Sequence, residues 1–234
     1  MIRSISYPCE LDEVRQEPIH NGRNVLWLAK WNEGLVVVKD FGRPKLAGLE
    51  YCMRKSKAHR SYENALCILK RGVATPKPIA YREKRSLLTN RLISCSYICE
   101  YEQSKTLRDY YDTCTPAFMK SFAAFVALLH EKGIRHDDLN NTNVRVQECG
   151  GTFSFSIIDL NRMRIYPDGE MVPLDECFGN ITRFSCLDRN FELFVKEYLS
   201  VRNLPSSLMS KAIDAKKRHD KTVDTKKALK RLFK

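Results

Sequence analysis

The chain has no apolar run approaching the roughly 20 residues that a bilayer span requires, so no transmembrane helix is expected. Its first residues, Met1 to Pro8, lack the apolar core of a secretory leader, and the chain is expected to stay in the cytosol. None of its nine cysteines belongs to a C-x-x-C pair, and their number is odd. That excludes the usual zinc spacing and argues against a disulfide framework; reduced thiols in apolar stretches are expected instead. There are no internal repeats and no long low-complexity linker, which excludes a solenoid. Glycine is also sparse: the turn Asn21-Gly22-Arg23-Asn24 holds one, Gly22.

What remains is an ordinary globular composition, 43% hydrophobic and 10% aromatic over 234 residues. That length suits one large domain or two small lobes sharing a cleft. The formal charge is +12. From Lys211 to Lys234 there are ten Lys/Arg and three Asp, a net +7, so this tail carries more than half of it. A basic helical tail can meet nucleic acid, anionic lipid or water alone. A second basic cluster runs from Arg54 to Arg60.

The chemistry concentrates in His136-Asp137-Asp138-Leu139-Asn140-Asn141-Thr142-Asn143 and Ile157-Ile158-Asp159. Asp138 can receive or orient a hydroxyl proton. The Asn143 amide oxygen and the Asp159 carboxylate are hard ligands suited to Mg²⁺, which also holds ATP phosphates. Asp and Asn are common turn formers, so any one of these residues alone would say little. Their order says more. Val144–Val146 and Phe153–Ile158 alternate around Gly150-Gly151 and predict a β-hairpin, which would bring Asn143 near Asp159.

Upstream, 25–29 and 34–41 read as paired strands, and Lys39 closes a run of valines as a candidate for the α- and β-phosphates. A helix over 60–71 ends at Gly72 and carries Glu63, the expected partner of Lys39, with Glu50 a weaker alternative. Strands are expected near 79–81, 86–90 and 95–101, then a short helix over 106–111. The lobe boundary is placed between residues 101 and 102. Thr115 and Pro116 open a helix whose stripe Phe118, Phe122, Phe125, Val126 and Leu129 is a core face. A second buried helix is expected over 191–199.

These residues resemble the protein-kinase-like superfamily, and within it the bacterial lipopolysaccharide core sugar kinases of the Kdo and heptose kinase group. The likeness rests on Val36-Val37-Val38-Lys39, the helix carrying Glu63, His136-x-Asp138-Leu139-x-x-x-Asn143, Ile157-Ile158-Asp159-Leu160-Asn161-Arg162 and Asn180-Ile181-Thr182-Arg183-Phe184. It implies an α+β fold of two lobes: 1–101, an antiparallel sheet plus helix that binds nucleotide, and 102–234, a mainly helical catalytic lobe. It also implies Asp138 as catalytic residue, Lys39, Glu63 and Gly22 toward the nucleotide, and Asn143 and Asp159 on the metal. ATP and Mg²⁺ are the implied cofactors. The implied acceptor is an anionic glycolipid, Kdo–lipid A or core oligosaccharide, with peripheral contact at the inner membrane and no nucleic acid.

The departures carry information. Asp137 stands where the usual arginine precedes the catalytic aspartate, and Leu160-Asn161 replace Phe-Gly after the metal aspartate. No Ala-Pro-Glu motif or long activation segment follows, which disfavours a protein substrate. Three rivals stay open: an aminoglycoside-phosphotransferase-like enzyme, against which the basic surplus speaks; a RIO-like protein kinase whose tail meets RNA; and a non-catalytic pseudokinase, against which Lys39, Asp138, Asn143 and Asp159 speak.

Overall fold

The computed structural model describes residues 2–5, 15–42, 44–110, 112, 114–184 and 190–232. They divide into two compact units. The first holds the described residues up to Gln103 together with Asp159–Asn161; the second holds Ser104–Ile158 and the chain from Arg162 onward.

The first unit is a six-stranded antiparallel sheet of β1 (Ile2–Ile5), β2 (Arg15–Asn21), β3 (Val25–Trp31), β4 (Gly34–Asp40), β5 (Pro78–Arg85) and β6 (Leu92–Glu100), in the order β1-β5-β6-β4-β3-β2. Alternation along β4 sets its two faces. Val36 and Val38 join Ala29, Ala80 and Ile98 in one buried cluster. On the other face Phe41, Tyr81, Cys95 and Tyr97 pack with Ala58 of helix α1 (Lys57–Lys70). The helix starts where Ser56 Oγ accepts the His59 N–H at 3.1 Å, and the chain leaves it through Gly72 at φ 78°. A 3₁₀ turn, Lys45–Tyr51, precedes it.

One expected strand is corrected. Ser86–Asn90 is not extended; it is the turn joining β5 to β6. The Ser86 N–H bonds to the Arg91 carbonyl at 3.0 Å, and Asn90 adopts φ 52°, a left-handed conformation that asparagine tolerates. Leu87 and Leu88, both exposed, sit at the crest of this turn.

The second unit holds a three-stranded sheet, β10-β9-β7, built from β7 (Lys105–Thr106), β9 (Val144–Cys149) and β10 (Thr152–Ile157). A small ribbon pairs β8 (Ile134–His136) with β11 (Met163–Ile165). The expected short helix after residue 106 is a single 3₁₀ turn, Leu107–Tyr110. The four helices are α2 (Pro116–Glu131), α3 (Leu174–Ile181), α4 (Phe191–Val201) and α5 (Met209–Leu232). Thr115 Oγ1 caps α2 by accepting the Phe118 N–H at 3.2 Å. Its apolar stripe packs into a ring cluster of Phe118, Phe122, Phe155, Phe184 and Phe194. Helix α5 is anchored at its start by buried Ala212 and by a 2.6 Å ion pair from Lys211 to Asp175. Farther on, its described side chains are mostly exposed.

Candidate active site

In the second unit, β8 delivers the chain to Asp138 and the β9–β10 hairpin delivers it to Ile158. The hairpin register, Val144 opposite Ile157, continues as a 2.9 Å bond from the Ile158 N–H to the Asn143 carbonyl. Between these ends the polar loop is tied by its own side chains. Asn140 Oδ1 accepts from the Thr142 N–H, the Thr142 hydroxyl and the Asn143 N–H. Asn143 Nδ2 donates to the Asp138 carbonyl at 2.8 Å. That leaves Asn143 Oδ1, with no hydrogen-bond partner among the described residues, as an oriented acceptor.

His136 fixes the backbone at Asp138. Its Nδ1 accepts the Asp138 N–H at 3.1 Å, so its Nε2 carries the proton and donates to the Ile158 carbonyl at 2.8 Å. The Asp138 side chain is thus presented rather than consumed. It receives a long 3.3 Å bond from Asn140 Nδ2, and two half-exposed arginines stand nearby: Arg162 Nη1 at 3.9 Å and Arg183 Nη1 at 4.0 Å. On helix α5, burial and then the charge of Arg183 hold His219 below its ordinary pKa. Asp137 points elsewhere and accepts from Arg135 Nε at 2.7 Å; Arg135 also pairs with Glu176.

Behind the loop lies a buried polar chain that the sequence did not announce. Asn180 Nδ2 donates to the His136 carbonyl at 2.8 Å. Its Oδ1 therefore accepts from His130 Nε2 at 3.1 Å, and His130 Nδ1 accepts the Tyr198 O–H at 2.7 Å. Arg202 Nη1 donates to the Tyr198 oxygen at 2.7 Å. Burial pushes His130 down to about 4. Between that value and the ordinary 6.5, the unfolded chain binds a proton that the folded chain refuses. The stabilising contribution is therefore complete above pH about 6.5 and lost as pH falls toward 4, by up to about 3 kcal/mol. Urea unfolding at pH 7 and pH 4.5 should show this loss, and His130→Gln should have the flatter profile; equal slopes would exclude His130 as the source.

In the first unit, Lys39 is the next-to-last residue of β4, with Nζ 2.6 Å from Asp159 Oδ1. Asp159 adopts φ 63°, an uncommon conformation for a residue with a side chain and one that persists where neighbours enforce it. Two neighbours do. Asn161 Nδ2 donates to Asp159 Oδ1, and Asn64 Nδ2 on α1 donates to the Leu160 carbonyl at 2.7 Å.

The expected pairing of Lys39 with Glu63 is corrected. Both Glu63 oxygens accept from Lys55 Nζ, at 2.6 and 2.7 Å, and His59 Nε2 is 3.2 Å away. Lys55 and His59, at the start of α1, reach Glu63 first, and its neighbour Asn64 is the helix residue that grips the Asp159 segment. Glu50 does not pair with Lys39 either; its Oε2 is buried with no partner among the described residues. Gly22 sits exposed in the β2–β3 turn, where an added Cβ would meet only the flexible His20 ring. The glycine that this turn requires is Gly42: a Cβ there would lie 2.1 Å from the Arg23 carbonyl oxygen. Its position two residues past the end of β4 was the available signal.

No cluster of three or more His, Cys, Asp or Glu suited to a metal exists among the described residues. Mg²⁺ takes one or two protein oxygens and completes its shell with phosphates and water. Asp159 and Asn143 Oδ1 are oxygen donors of that kind. No helix among the described residues is long and apolar enough to cross a membrane.

The model of the lipopolysaccharide kinase (Kdo/WaaP) family matches residues 48–167, just over half of the chain. No curated protein matches in sequence. Among solved structures, WaaP in complex with acyl carrier protein is 15% identical, with 91% of this chain and 90% of that chain covered at a TM-score of 0.63. The Rio2 kinase of Chaetomium thermophilum, in an ADP/Mg²⁺–phosphoaspartate complex, is 14% identical, with 90% and 73% covered at 0.55. These likenesses show a protein-kinase-like fold.

Proposed function

The chain belongs to the lipopolysaccharide kinase (Kdo/WaaP) family, a family of phosphotransferases, and from that premise we propose that it moves the γ-phosphoryl group of ATP to a hydroxyl of Kdo attached to lipid A. The observation that carries the acceptor reading is the placement of Arg162 and Arg183 about 4 Å from Asp138. A base beside two half-exposed guanidinium groups suits an acceptor with its own negative charge next to the reacting hydroxyl. Kdo is a sugar acid, and its carboxylate matches the guanidinium fork.

Each residue then has a role. Asp138 orients the acceptor hydroxyl and takes its proton as the bond to phosphorus forms. Lys39 meets the nucleotide phosphates. Asp159 would be the charged oxygen ligand for Mg²⁺ and Asn143 Oδ1 the neutral one; Mg²⁺, when bound, would neutralise phosphate charge. Asn64 and Asn161 hold the Asp159 segment, and His136 holds the Asp138 backbone. The acceptor works at the cytoplasmic face of the inner membrane in this reading, and the exposed part of α5 adds positive charge toward an anionic surface.

The arginines test the acceptor. Arg162→Gln and Arg183→Gln are each expected to raise KM for Kdo–lipid A about tenfold, the scale of one lost charge-assisted hydrogen bond, with little change in KM for ATP. Against an acceptor whose Kdo carboxyl is methylated, wild type and variants should converge. Variants that lose activity equally on both acceptors would contradict carboxylate recognition.

A further inference from the structure

The turn between β5 and β6 puts two leucines at its crest, where polar turn formers are the rule. Leu87 is 82% exposed and Leu88 97% exposed. In the segment bonded to this turn, Met53 is 99% exposed. Single exposed apolar residues are ordinary, but these three come from two separate segments that the fold binds together. Asn90 Nδ2 donates to the Cys52 carbonyl at 2.7 Å, and the Cys52 thiol reaches the Thr89 carbonyl at 3.3 Å.

Beneath them lies a buried ion pair. Glu83 and Arg85 are 2% and 5% exposed and meet at 2.7 Å. Arg85 also donates to the carbonyls of Tyr51 and Asn90 and, at 3.3 Å, of Arg54. Glu83 Oε1 accepts the Ser56 N–H at 3.2 Å. One guanidinium thus laces the 51–54 segment to the β5–β6 turn. A buried charge needs such full pairing, and the pairing makes the tip a braced feature rather than a frayed loop.

The surroundings of the tip are basic. Arg54, Lys84 and Arg91 are exposed there, and Lys55 is exposed while it pairs with Glu63. The carboxylate below them, Glu83, is neutralised by Arg85. Exposed apolar residues flanked by long cationic side chains have the amphipathic pattern of an interfacial anchor, in which leucine and methionine enter the acyl boundary while arginine and lysine reach the phosphates. A protein partner would find little area on a three-residue crest, whereas a bilayer of anionic lipid complements both its apolar and its cationic parts.

We infer that the Met53–Leu87–Leu88 tip is a membrane anchor that inserts into the interface of anionic bilayers. This goes beyond the acceptor reading and does not depend on it, because binding is read without turnover. The test uses the full chain with vesicles of phosphatidylethanolamine containing about one-third phosphatidylglycerol, an anionic surface of the kind that attracts basic segments. Leu87→Ser/Leu88→Ser should lower the partition coefficient on the order of tenfold or more, with an unchanged melting temperature because both side chains already face water. A Leu88→Trp variant should shift its emission to the blue on vesicle addition and be quenched by lipids brominated near the headgroup. Partitioning unaffected by the serine pair, a tryptophan that stays in water while the protein is bound, or no binding of wild type to these vesicles would each overturn the anchor.

Discussion

Asp138→Asn is expected to lower the turnover of phosphoryl transfer by roughly 10²–10⁴, the range associated with losing a positioned general base. KM for ATP should hardly move, since Asp138 is assigned to the acceptor and not to the nucleotide. Stability should also hold. Asp138 makes one 3.3 Å bond and two contacts near 4 Å, and an amide of the same shape keeps an oxygen toward Asn140 and the arginines. Steady-state kinetics with a melting curve on the same preparation checks all three points. Turnover within about threefold of wild type would place the base elsewhere, far below the loss expected of a general base. Asp137 would then be the next residue to replace, although its carboxylate is already engaged by Arg135.

The second large effect concerns the metal. Asp159→Ala should weaken Mg²⁺–ATP binding by at least about tenfold, or roughly 1.4 kcal/mol, because a full charge leaves the metal while an amide oxygen brings only a dipole. It also strands Lys39, whose 2.6 Å partner is Asp159. Asn143→Ala should behave differently. It removes the amide oxygen but also the 2.8 Å bond to the Asp138 carbonyl. The loss should therefore fall more on turnover than on Mg²⁺–ATP affinity. Titration of each variant with Mg²⁺–ATP, followed by single-turnover transfer, separates the two; equal or reversed binding losses would contradict the assigned roles.

Local patterns were the legible part of this chain. The alternation around Gly150-Gly151 predicted the β9–β10 hairpin, and its register places Asn143 against Ile158, the residue before Asp159. Thr115, Pro116 and the phenylalanine stripe predicted α2 through a cap and a period, both properties of neighbouring residues. Ser86–Asn90 departs from the expected strand because a turn conformation at Asn90 and the bracing by Arg85 hold Leu87 and Leu88 in water. Long-range partners left no trace in spacing. Its position suits Glu63 to Lys39, yet the nearer Lys55 and His59 claim it. Arg162 and Arg183 reach Asp138 from 24 and 45 residues away in sequence, and the chain from Arg202 through Tyr198, His130 and Asn180 to His136 joins four elements. Such links follow from the packed fold, not from the local order of residues.

The central claim is that this chain transfers phosphate from ATP to a Kdo hydroxyl. The most direct measurement incubates the protein with Mg²⁺, γ-labelled ATP and purified Kdo–lipid A and follows the label by thin-layer chromatography, with Asp138→Asn alongside. The account predicts labelled glycolipid from the wild type, its near-absence with Asp138→Asn, and release of the label with the Kdo portion after mild acid cleavage from lipid A. Label that stays on lipid A, passes to the protein itself or appears only as inorganic phosphate would contradict it.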